Sequence, residues 1–429
     1  GRVWRVTNLS SQPRKTLFLD LSTRVYSKQE SGFIGFELHP QFEKNGYFYA
    51  FYTFLTSIGG NEGLHDRLSQ FQFNGKVGAM ADIKTEKAMF TQFDQHYDHN
   101  AGDLHFGPDG YLYVSLGDEG GSYDQYNNSQ RIDRDYFGGI LRIDVNQQEN
   151  NLPPNGHIGL HGNYLVPRDN PYVGVTSFAG LPIDPKKIRT EFWAVGLRNP
   201  WRMAFDPKSG KLYTGDTGDH VREEINIIKR GGNYGYPIFE GTPEGPKYNS
   251  SARRNDYIFP EAEYGRAYGN DIAGLHFYRG SQPEELNGHI IFSDYWSGWI
   301  GAVDFNYSKD AQRPIRWLFW DDNISSLGEH PITGEILLAD HREGLIKKLI
   351  SGRNPQEQPL PLKLSETGLF LDLARMEMHE GIIPYKVTNP LWSDGAHKQR
   401  WFAIADNKSK IHFNAYKPWI FPNGSAWIK

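Results

Sequence analysis

Cysteine is absent from the 429 residues of this chain, and so are a long apolar run and a large charge of either sign. Without cysteine there is no disulfide, no thiolate-bound metal, no cysteine nucleophile and no covalently attached c-type haem. No run of about 18 apolar residues occurs, so the sequence predicts no membrane-spanning helix. The formal charge of −5 comes without a basic block, which argues against nucleic-acid binding.

Glycine and proline are frequent, with 46 and 25 copies, and aromatic residues make up 14% of the chain. This combination is typical of many short strands joined by tight turns. The chain begins at Gly1 without a methionine or a signal-like segment, so we expect a processed chain or a piece of a longer one. The lack of cysteine leaves the cellular compartment open.

One pattern recurs five times: a turn that ends in glycine, followed by two strands in which apolar and polar residues alternate. The turn glycines are Gly46, Gly110, Gly210, Gly288 and Gly334. Such units cannot bury their faces alone, and closing six of them into a ring removes most exposed edges. The sequence therefore predicts an all-β, six-bladed β-propeller over residues 1–350, built from half-buried strands. An open β-sandwich with similar turns is the alternative.

A sixth copy of the second strand opens the chain as GRVWRV. Because no first strand precedes it, we expect Gly1–Val6 to pair in the same blade as Glu335–Ile350 or in a thinned neighbouring blade. The longest insertions between strands are predicted near residues 93–102, 120–137, 147–190 and 240–274. Loops on one end of a rigid ring commonly carry function.

The repeats end near Ile350. Residues 351–363 contain NPQEQPLP, which predicts a proline-rich linker. Residues 364–429 form a small appended domain or domain fragment of unknown function, with a helix expected over Glu366–His379. Its polar and aromatic residues Trp392, Asp394, Arg400 and Trp401 are interpreted as packing residues.

Two pairs of polar residues lie beside the predicted loops. His99 follows Asp98, and a histidine beside a carboxylate can act as a general base near neutral pH. A histidine that only caps a loop is the alternative. Arg198 and Asn199 end another loop, where a guanidinium can stabilise a developing oxyanion or bind a planar anion. A structural arginine bonded to loop carbonyls is the alternative here.

A third group combines acidic side chains with a glycine-rich backbone. Gly218–His220 precede Glu223 and Glu224, and the turn over residues 231–236 follows. Calcium binds carboxylates together with backbone carbonyls, which such a loop can supply. Two solvated glutamates at the start of a strand are the alternative.

Five segments of the chain resemble the glucose/sorbosone dehydrogenase family, in the family's order. They read GFIGFELHPQFEKNGYFYAFY, DHNAGDLHFGPDGYLYVSLGD, DRDYFGGILRID, FWAVGLRNPWRMAFDP and EEINIIKRGGNYGYP. The resemblance covers Gly1 to about Ile350. It implies a six-bladed propeller and the chemistry of the soluble quinoprotein aldose dehydrogenases. Hedgehog-interacting proteins share the propeller as a binding module.

The resemblance also implies catalytic roles. His99 would take the proton from the anomeric hydroxyl of a sugar, with Asp98 beside it and Glu30 near the substrate. Arg198 would stabilise an oxygen of reduced pyrroloquinoline quinone (PQQ), and Asn199 would contact the same cofactor.

Metal ligands follow from the same resemblance. The carbonyls of Gly218 and Asp219 would bind the calcium ion that polarises the quinone. Glu224 and Tyr234 match positions of a second, structural calcium.

The chain departs from the family where the three carboxylates of the quinone bind. Trp296 stands about where the best-studied enzymes have a lysine, and SSLGEHPITG lacks their arginine pair. Asp219 replaces a calcium-binding proline. A propeller hydrolase or lactonase would need a metal ringed by side-chain carboxylates and asparagines, and the sequence does not assemble that ring.

Two functions therefore remain. The first is a periplasmic or secreted PQQ-dependent oxidoreductase that acts on a sugar or related alcohol and passes electrons to an external acceptor. The second is a non-catalytic, calcium-stabilised propeller that binds carbohydrate or protein.

Overall fold

The computed structural model describes residues 1–9, 12–76, 78–157, 159–306, 312–352, 363–387, 398–404, 406, 408–413, 419, 421–422 and 424–428. The chain divides into two compact units, Gly1–Ser351 and Gly352–Lys429. Residues 353–362 of the predicted linker, and Trp392 and Asp394 of the C-terminal cluster, lie outside the described residues. In the described part, no helix is long and apolar enough to cross a membrane.

The regular elements of the first unit are almost all strands. In chain order they are β1 (Arg2–Thr7), β2 (Arg14–Asp20), β3 (Phe33–Leu38), β4 (Tyr47–Ile58), β5 (Asn61–Gln72), β6 (Lys87–Phe93), β7 (Leu104–Phe106), β8 (Leu112–Leu116), β9 (Gly139–Ile143), β10 (Ser177–Phe178), β11 (Leu181–Pro182), β12 (Phe192–Val195), β13 (Pro200–Phe205), β14 (Leu212–Asp216), β15 (Arg222–Ile228), β16 (Gly232–Asn233), β17 (Ala262–Gly265), β18 (Ile272–Tyr278), β19 (His289–Asp294), β20 (Trp299–Asp304), β21 (Ile315–Trp320), β22 (Ile324–Glu329), β23 (Ile336–Asp340) and β24 (Leu345–Lys348). One short helix, α1 (Phe42–Asn45), and 3₁₀ turns at Ile83–Thr85, Arg254–Asp256 and Glu284–Leu286 connect them.

Six sheets form the blades of a β-propeller, as the sequence predicted. Their strand orders are β1-β2, β3-β4-β5-β6, β7-β8-β9-β12-β16, β13-β14-β15-β17, β18-β19-β20-β21 and β22-β23-β24. Neighbouring strands are antiparallel, apart from the parallel pair β12 and β16. The short hairpin β10-β11 stands apart within the longest insertion.

The five predicted strand pairs are confirmed as β4-β5, β8-β9, β14-β15, β19-β20 and β23-β24. The glycine that precedes each first strand has a φ between 67° and 81°, which glycine adopts at little cost. At Gly46 the space is also closed, because a Cβ there would lie 2.0 Å from the Phe73 carbonyl oxygen. The insertion predicted over residues 240–274 is too long, since it contains β17 and the start of β18.

The expectation of half-buried strands is wrong for the middle of the blades. Every residue of β8, β9 and β14 is buried. Blades pack face to face, so both sides of a middle strand are covered and its polar residues must find partners. Thr214, for example, donates from Oγ1 to the Arg202 carbonyl at 3.0 Å.

The opening strand lies in a thinned blade. β1 pairs antiparallel with β2, from Arg2 opposite Asp20 to Thr7 opposite Arg14. It does not pair with β23 or β24 among the described residues, so the expectation that Gly1–Val6 shares the blade of Glu335–Ile350 is wrong. Phe18 and Leu19 of β2 pack with Phe48 of β4, which attaches this sheet to the adjacent blade.

The second unit contains β25 (Phe370–Asp372), β26 (Glu377–Met378), β27 (Ile383–Pro384), β28 (Trp401–Ala403), β29 (Ala426–Ile428) and a 3₁₀ turn at Leu364–Glu366. The helix expected over Glu366–His379 is wrong, because β25 and β26 form a hairpin there. Met376 adopts a φ of 53°, and the Arg375 N–H donates to Asp372 Oδ1 at 3.1 Å, so this stretch turns back on itself. Trp401 is buried, next to Arg400.

Candidate functional site

The polar residues singled out in the sequence lie in loops at strand ends. Glu30 precedes β3, His99 precedes β7, and Arg198 and Asn199 precede β13. Antiparallel neighbours such as β7 and β8 run in opposite directions, so the start of one and the end of the next lie at the same end of the blade. Asp118, which follows β8, therefore lies at the same end of the blade as His99, which precedes β7.

His99 is held by two carboxylates. Its Nδ1 atom lies 2.6 Å from Asp118 Oδ1, and its backbone N–H donates to Glu30 Oε2 at 2.7 Å. The residue is 7% exposed, and Nε2 bonds to no described residue. His99 and Ala101 have φ values of 58° and 45°, a region that residues other than glycine rarely adopt. The chain is thus bent sharply to bring the imidazole against Asp118.

Asp98 has different partners. Its Oδ2 atom accepts a hydrogen bond from Gln29 Nε2 at 3.2 Å and lies 3.5 Å from His96 Nδ1. The carboxylate that touches the His99 imidazole is Asp118, which the sequence interpretation did not single out.

A signal for Asp118 exists in the repeats. In four successive blades an aspartate ends or closely follows the strand after the glycine turn: Asp216, Asp294 and Asp340 are the last residues of β14, β19 and β23, and Asp118 stands two residues after β8. Asp216 accepts the backbone N–H groups of Arg198 and Asn199, and Asp294 accepts the N–H of Asp271. In each of these two blades the aspartate anchors the loop that leads into the blade. In the blade of His99, Asp118 binds the imidazole instead.

Arg198 and Asn199 reach the same place from the next blade. The Asn199 side chain donates from Nδ2 to Glu30 Oε2 at 3.0 Å, so Glu30 bonds to both His99 and Asn199. The Asp118 N–H donates to the Arg198 carbonyl at 2.8 Å. The structure therefore brings Glu30, His99, Arg198 and Asn199 into one site.

The Arg198 guanidinium is buried in this site. It donates from Nη1 to the Thr217 carbonyl at 3.1 Å, and Nη2 lies 3.5 Å from Asp219 Oδ1. Burial alone would lower the pKa of Arg198, but the surrounding acidic groups, Asp118 first, raise it. The site therefore keeps one fixed positive charge among carboxylates.

Burial is the largest influence on the pKa values of the acidic groups around Arg198. It raises the pKa of Asp216 to about 7, and it raises the pKa of Asp271 as well, with Glu30 as the next cause. Of the nine buried side-chain atoms that lack a hydrogen-bond partner among the described residues, three lie in this site: Asp118 Oδ2, Arg198 Nε and Asn199 Oδ1. Buried polar atoms seldom stay unpaired, so each of these three atoms indicates a ligand or water molecule beside it.

Gly218 and Asp219 fit a cation bound through backbone carbonyls. They lie in a tight loop after β14, where a Cβ on Gly218 would fall 1.6 Å from the Arg222 carbonyl oxygen. Neither carbonyl accepts a hydrogen bond from a described residue. The Asp219 side chain is occupied by Arg198, by the Tyr123 N–H at 2.8 Å and by the Tyr236 hydroxyl at 3.3 Å.

The side chains of Glu224 and Tyr234 already have protein partners, and a metal ion shared by these two residues stays a prediction. The Tyr234 hydroxyl donates to the Ile227 carbonyl at 2.6 Å and accepts the Lys229 N–H at 2.8 Å. Glu224 accepts from the Gly241 N–H at 2.5 Å and from Asn226 at 3.0 Å. In the part of the chain that the structure describes, no group of three or more His, Cys, Asp or Glu side chains could hold a metal.

Trp296 lies in the turn after β19 and is 70% exposed. Its ring packs edge-on against Tyr295, with centroids 5.3 Å apart. Two arginines of the late blades are already paired, Arg266 with Glu223 and Arg342 with Asp322.

Comparisons with known proteins identify the relatives of this chain. The model of the family described as Glucose / Sorbosone dehydrogenase matches residues 1–321. The HIPL1 protein of Arabidopsis thaliana is 30% identical over 331 residues, which cover 66% of this chain and 46% of that protein. Quinoprotein glucose dehydrogenase B of Acinetobacter calcoaceticus is 28% identical over 284 residues, covering 62% and 52%. The chain thus spans about half the length of these two curated relatives.

A solved structure, the PQQ-bound form of an aldose sugar dehydrogenase from Streptomyces coelicolor, is similar with a TM-score of 0.54. It is 19% identical, and the match covers 79% of this chain and 81% of that one. At this identity the likeness concerns the fold.

Proposed function

Because the chain belongs to the glucose/sorbosone dehydrogenase family, we propose that it is a PQQ-dependent oxidoreductase that oxidises a sugar or a related alcohol. One observation carries the proposal. Glu30 Oε2 bonds to both His99 and Asn199, which joins loops of three blades around a buried histidine and a buried arginine.

The residues divide the chemistry among themselves. Asp118 fixes the His99 tautomer by binding Nδ1, which leaves Nε2 to accept the proton of the substrate hydroxyl. Glu30 and Asn199 fix the position of the His99 loop and present oxygens to the substrate. The Arg198 guanidinium lies ready to stabilise an oxygen that gains negative charge. When bound, PQQ supplies the acceptor for the hydride from the carbon that carries this hydroxyl.

The proposal includes one calcium ion. The carbonyls of Gly218 and Asp219 would hold it close to Arg198, where a divalent cation can act as a Lewis acid. A second, structural calcium ion at Glu224 and Tyr234 stays a prediction.

Reconstitution tests the proposal. Purified protein is incubated with PQQ and calcium, and reduction of an artificial electron-accepting dye is followed over a panel of sugars and polyols. We expect turnover with at least one sugar, and loss of that turnover in His99→Ala. His96→Ala is the matched control, because His96 lies in the same loop and bonds to the Asp98 N–H rather than to Asp118.

Turnover that survives in His99→Ala would contradict the assignment of the base. Absence of both turnover and PQQ binding in the wild type would favour the second function, a non-catalytic propeller that binds carbohydrate or protein. The paired state of Arg266 and Arg342 and the exposed Trp296 favour that function, because PQQ carries three carboxylates and needs free cations.

A periplasmic or secreted location and an external electron acceptor belong to the same proposal. Fractionation of cells that produce the full-length protein tests the location, and recovery in the cytoplasm would contradict it.

A further inference from the structure

Glu240 is buried in the loop between β16 and β17, where its Oε1 atom faces four backbone N–H groups and the Arg266 guanidinium, whose Nη2 lies 3.5 Å away. Oε1 accepts hydrogen bonds from the N–H groups of four consecutive residues, Asp219–Arg222, at 2.6–3.0 Å. The residue is 1% exposed. Consecutive N–H groups that converge in this way form an anion-binding concavity. Here the bound anion is a side chain of the protein itself.

Peptide geometry then fixes where the carbonyls of this loop point. The cis peptide bonds of the described residues are Tyr236–Pro237 and Gln282–Pro283, so the peptides of the loop are trans. In a trans peptide the N–H and C=O groups point in opposite directions. Since the N–H groups of Asp219 and His220 point at Glu240, the carbonyls of Gly218 and Asp219 point away from it.

The loop is closely packed at Gly218, beside this carboxylate. A Cβ on Gly218 would lie 1.6 Å from the Arg222 carbonyl oxygen and 2.9 Å from Glu240 Oε1. The other end of the arrangement reaches the candidate site, because Asp219 Oδ1 lies 3.5 Å from Arg198 Nη2. Glu240 is therefore connected to Arg198 through one residue.

We infer that Glu240 is the positioning residue of a cation site formed by the carbonyls of Gly218 and Asp219. The inference rests on the proposed function, which assigns calcium to these carbonyls. A calcium ion binds backbone carbonyl oxygens readily. A carboxylate bonded to the N–H side of each peptide polarises it, which places more negative charge on the carbonyl oxygen. Glu240 thus orients the two ligands and strengthens both without touching the ion.

Terbium binding and hydrogen exchange test this inference together. Terbium affinity is measured by its sensitised luminescence in the wild type, Glu240→Ala, Glu240→Gln and Glu244→Gln. Glu244 is an exposed acidic residue of the same loop and serves as the matched control. Exchange of the amides of residues 219–222 is measured without metal.

Loss of Glu240 should weaken terbium binding by about 10–100-fold, the range found when groups behind metal ligands are removed. The four amides should exchange faster in Glu240→Ala, and less so in Glu240→Gln, whose neutral oxygen can still accept. Glu244→Gln should match the wild type in both measurements. If Glu240→Ala does not fold, Glu240→Gln decides, because it keeps the shape and loses the charge.

The outcomes separate the two proposals. Unchanged terbium affinity in both Glu240 variants, or unchanged amide exchange, would overturn the inference and leave the proposed function standing. A wild type that binds no terbium would remove the cation from the proposed function, and the inference with it.

Discussion

The Asp118–His99 pair joins a fully buried carboxylate to an imidazole at 2.6 Å. Replacing Asp118 by Asn removes the charge and allows the wrong tautomer of His99. We expect kcat for dye reduction to fall by roughly 10²- to 10⁴-fold with little change in KM. Steady-state kinetics with the reconstituted protein measure this. Asp133→Asn, which removes a surface partner of Arg131, is the control and should keep full activity.

A second residue-level prediction concerns pH. His105 Nε2 lies 3.2 Å from Asp103 Oδ2. Burial alone would lower the pKa of His105, but Asp103 raises this pKa to about 9. Glu37 and Arg202 are the other charged groups beside it. A raised pKa stabilises the fold fully below about 6.5, the value for an unfolded histidine, and this stability is lost as pH rises through about 9.

Urea unfolding between pH 6 and 10 measures the effect of His105. The wild type should lose stability over this range, and His105→Gln should lose less of it. Parallel curves for the two proteins would show that the ion pair contributes nothing.

Sequence reasoning at this scale found His99 and Arg198 because each stands beside a second polar residue in a recognisable motif. It missed Asp118 and Glu240 for a physical reason. Both act through contacts 19 and about 20 positions away, and only the folded loops define these contacts. The aspartate that recurs at the strand ends is the available signal for Asp118.

An ion pair connects two neighbouring blades. Arg279, after β18, donates two hydrogen bonds of 2.8 Å to Asp206, in the turn between β13 and β14 of the neighbouring blade. Asp206 is nearly fully buried, so a double-mutant cycle with Asp206→Asn and Arg279→Gln should give a coupling energy of roughly 1–3 kcal/mol. Additive losses in urea unfolding would contradict a direct pair.

The same pair predicts acid sensitivity. Burial would raise the pKa of Asp206, but bonds from Arg279 and Ser209 hold it well below its usual range. Such a carboxylate stabilises the fold above about pH 3.9, the unfolded value, and the contribution is lost as pH falls. Arg279→Gln should therefore reduce the loss of stability between pH 5 and 3.

Turn glycines allow a matched comparison. Gly46 and Gly110 have φ values of 67° and 80°, but a Cβ at Gly110 would meet nothing within 4 Å, whereas at Gly46 it would meet the Phe73 carbonyl. Gly110→Ala should cost about 1–2 kcal/mol from conformation alone, and Gly46→Ala clearly more. Equal losses in thermal unfolding would refute the role of the contact.

Strand pairs were predictable because a glycine turn and an alternating pattern mark both members. The outer strands β6, β12, β17 and β21 were not, because they follow insertions of differing length and repeat no common motif. Burial was also misjudged, since alternation of residue types does not reveal that a second blade covers the polar face.

The two units of the chain differ greatly in the size of their apolar cores. All five apolar clusters lie within Gly1–Ser351, whereas Trp401 and Ile428 are the buried apolar residues among the described part of Gly352–Lys429. A fragment of residues 1–351 should therefore unfold cooperatively near the midpoint of the full chain. Residues 352–429 alone should give a broad, weak transition in calorimetry. A fragment 1–351 that fails to fold would contradict this division.

The strained bend at His99 and Ala101 has a consequence for how variants of this protein would be selected. A heat-challenge screen that scores only survival would favour Ala101→Gly, because glycine removes the penalty of the left-handed conformation. The same replacement would let the histidine sample other orientations and so reduce turnover. Libraries screened for heat tolerance and libraries screened for catalysis should therefore diverge at this position. Glycine at residue 101 should be enriched in the first and depleted in the second.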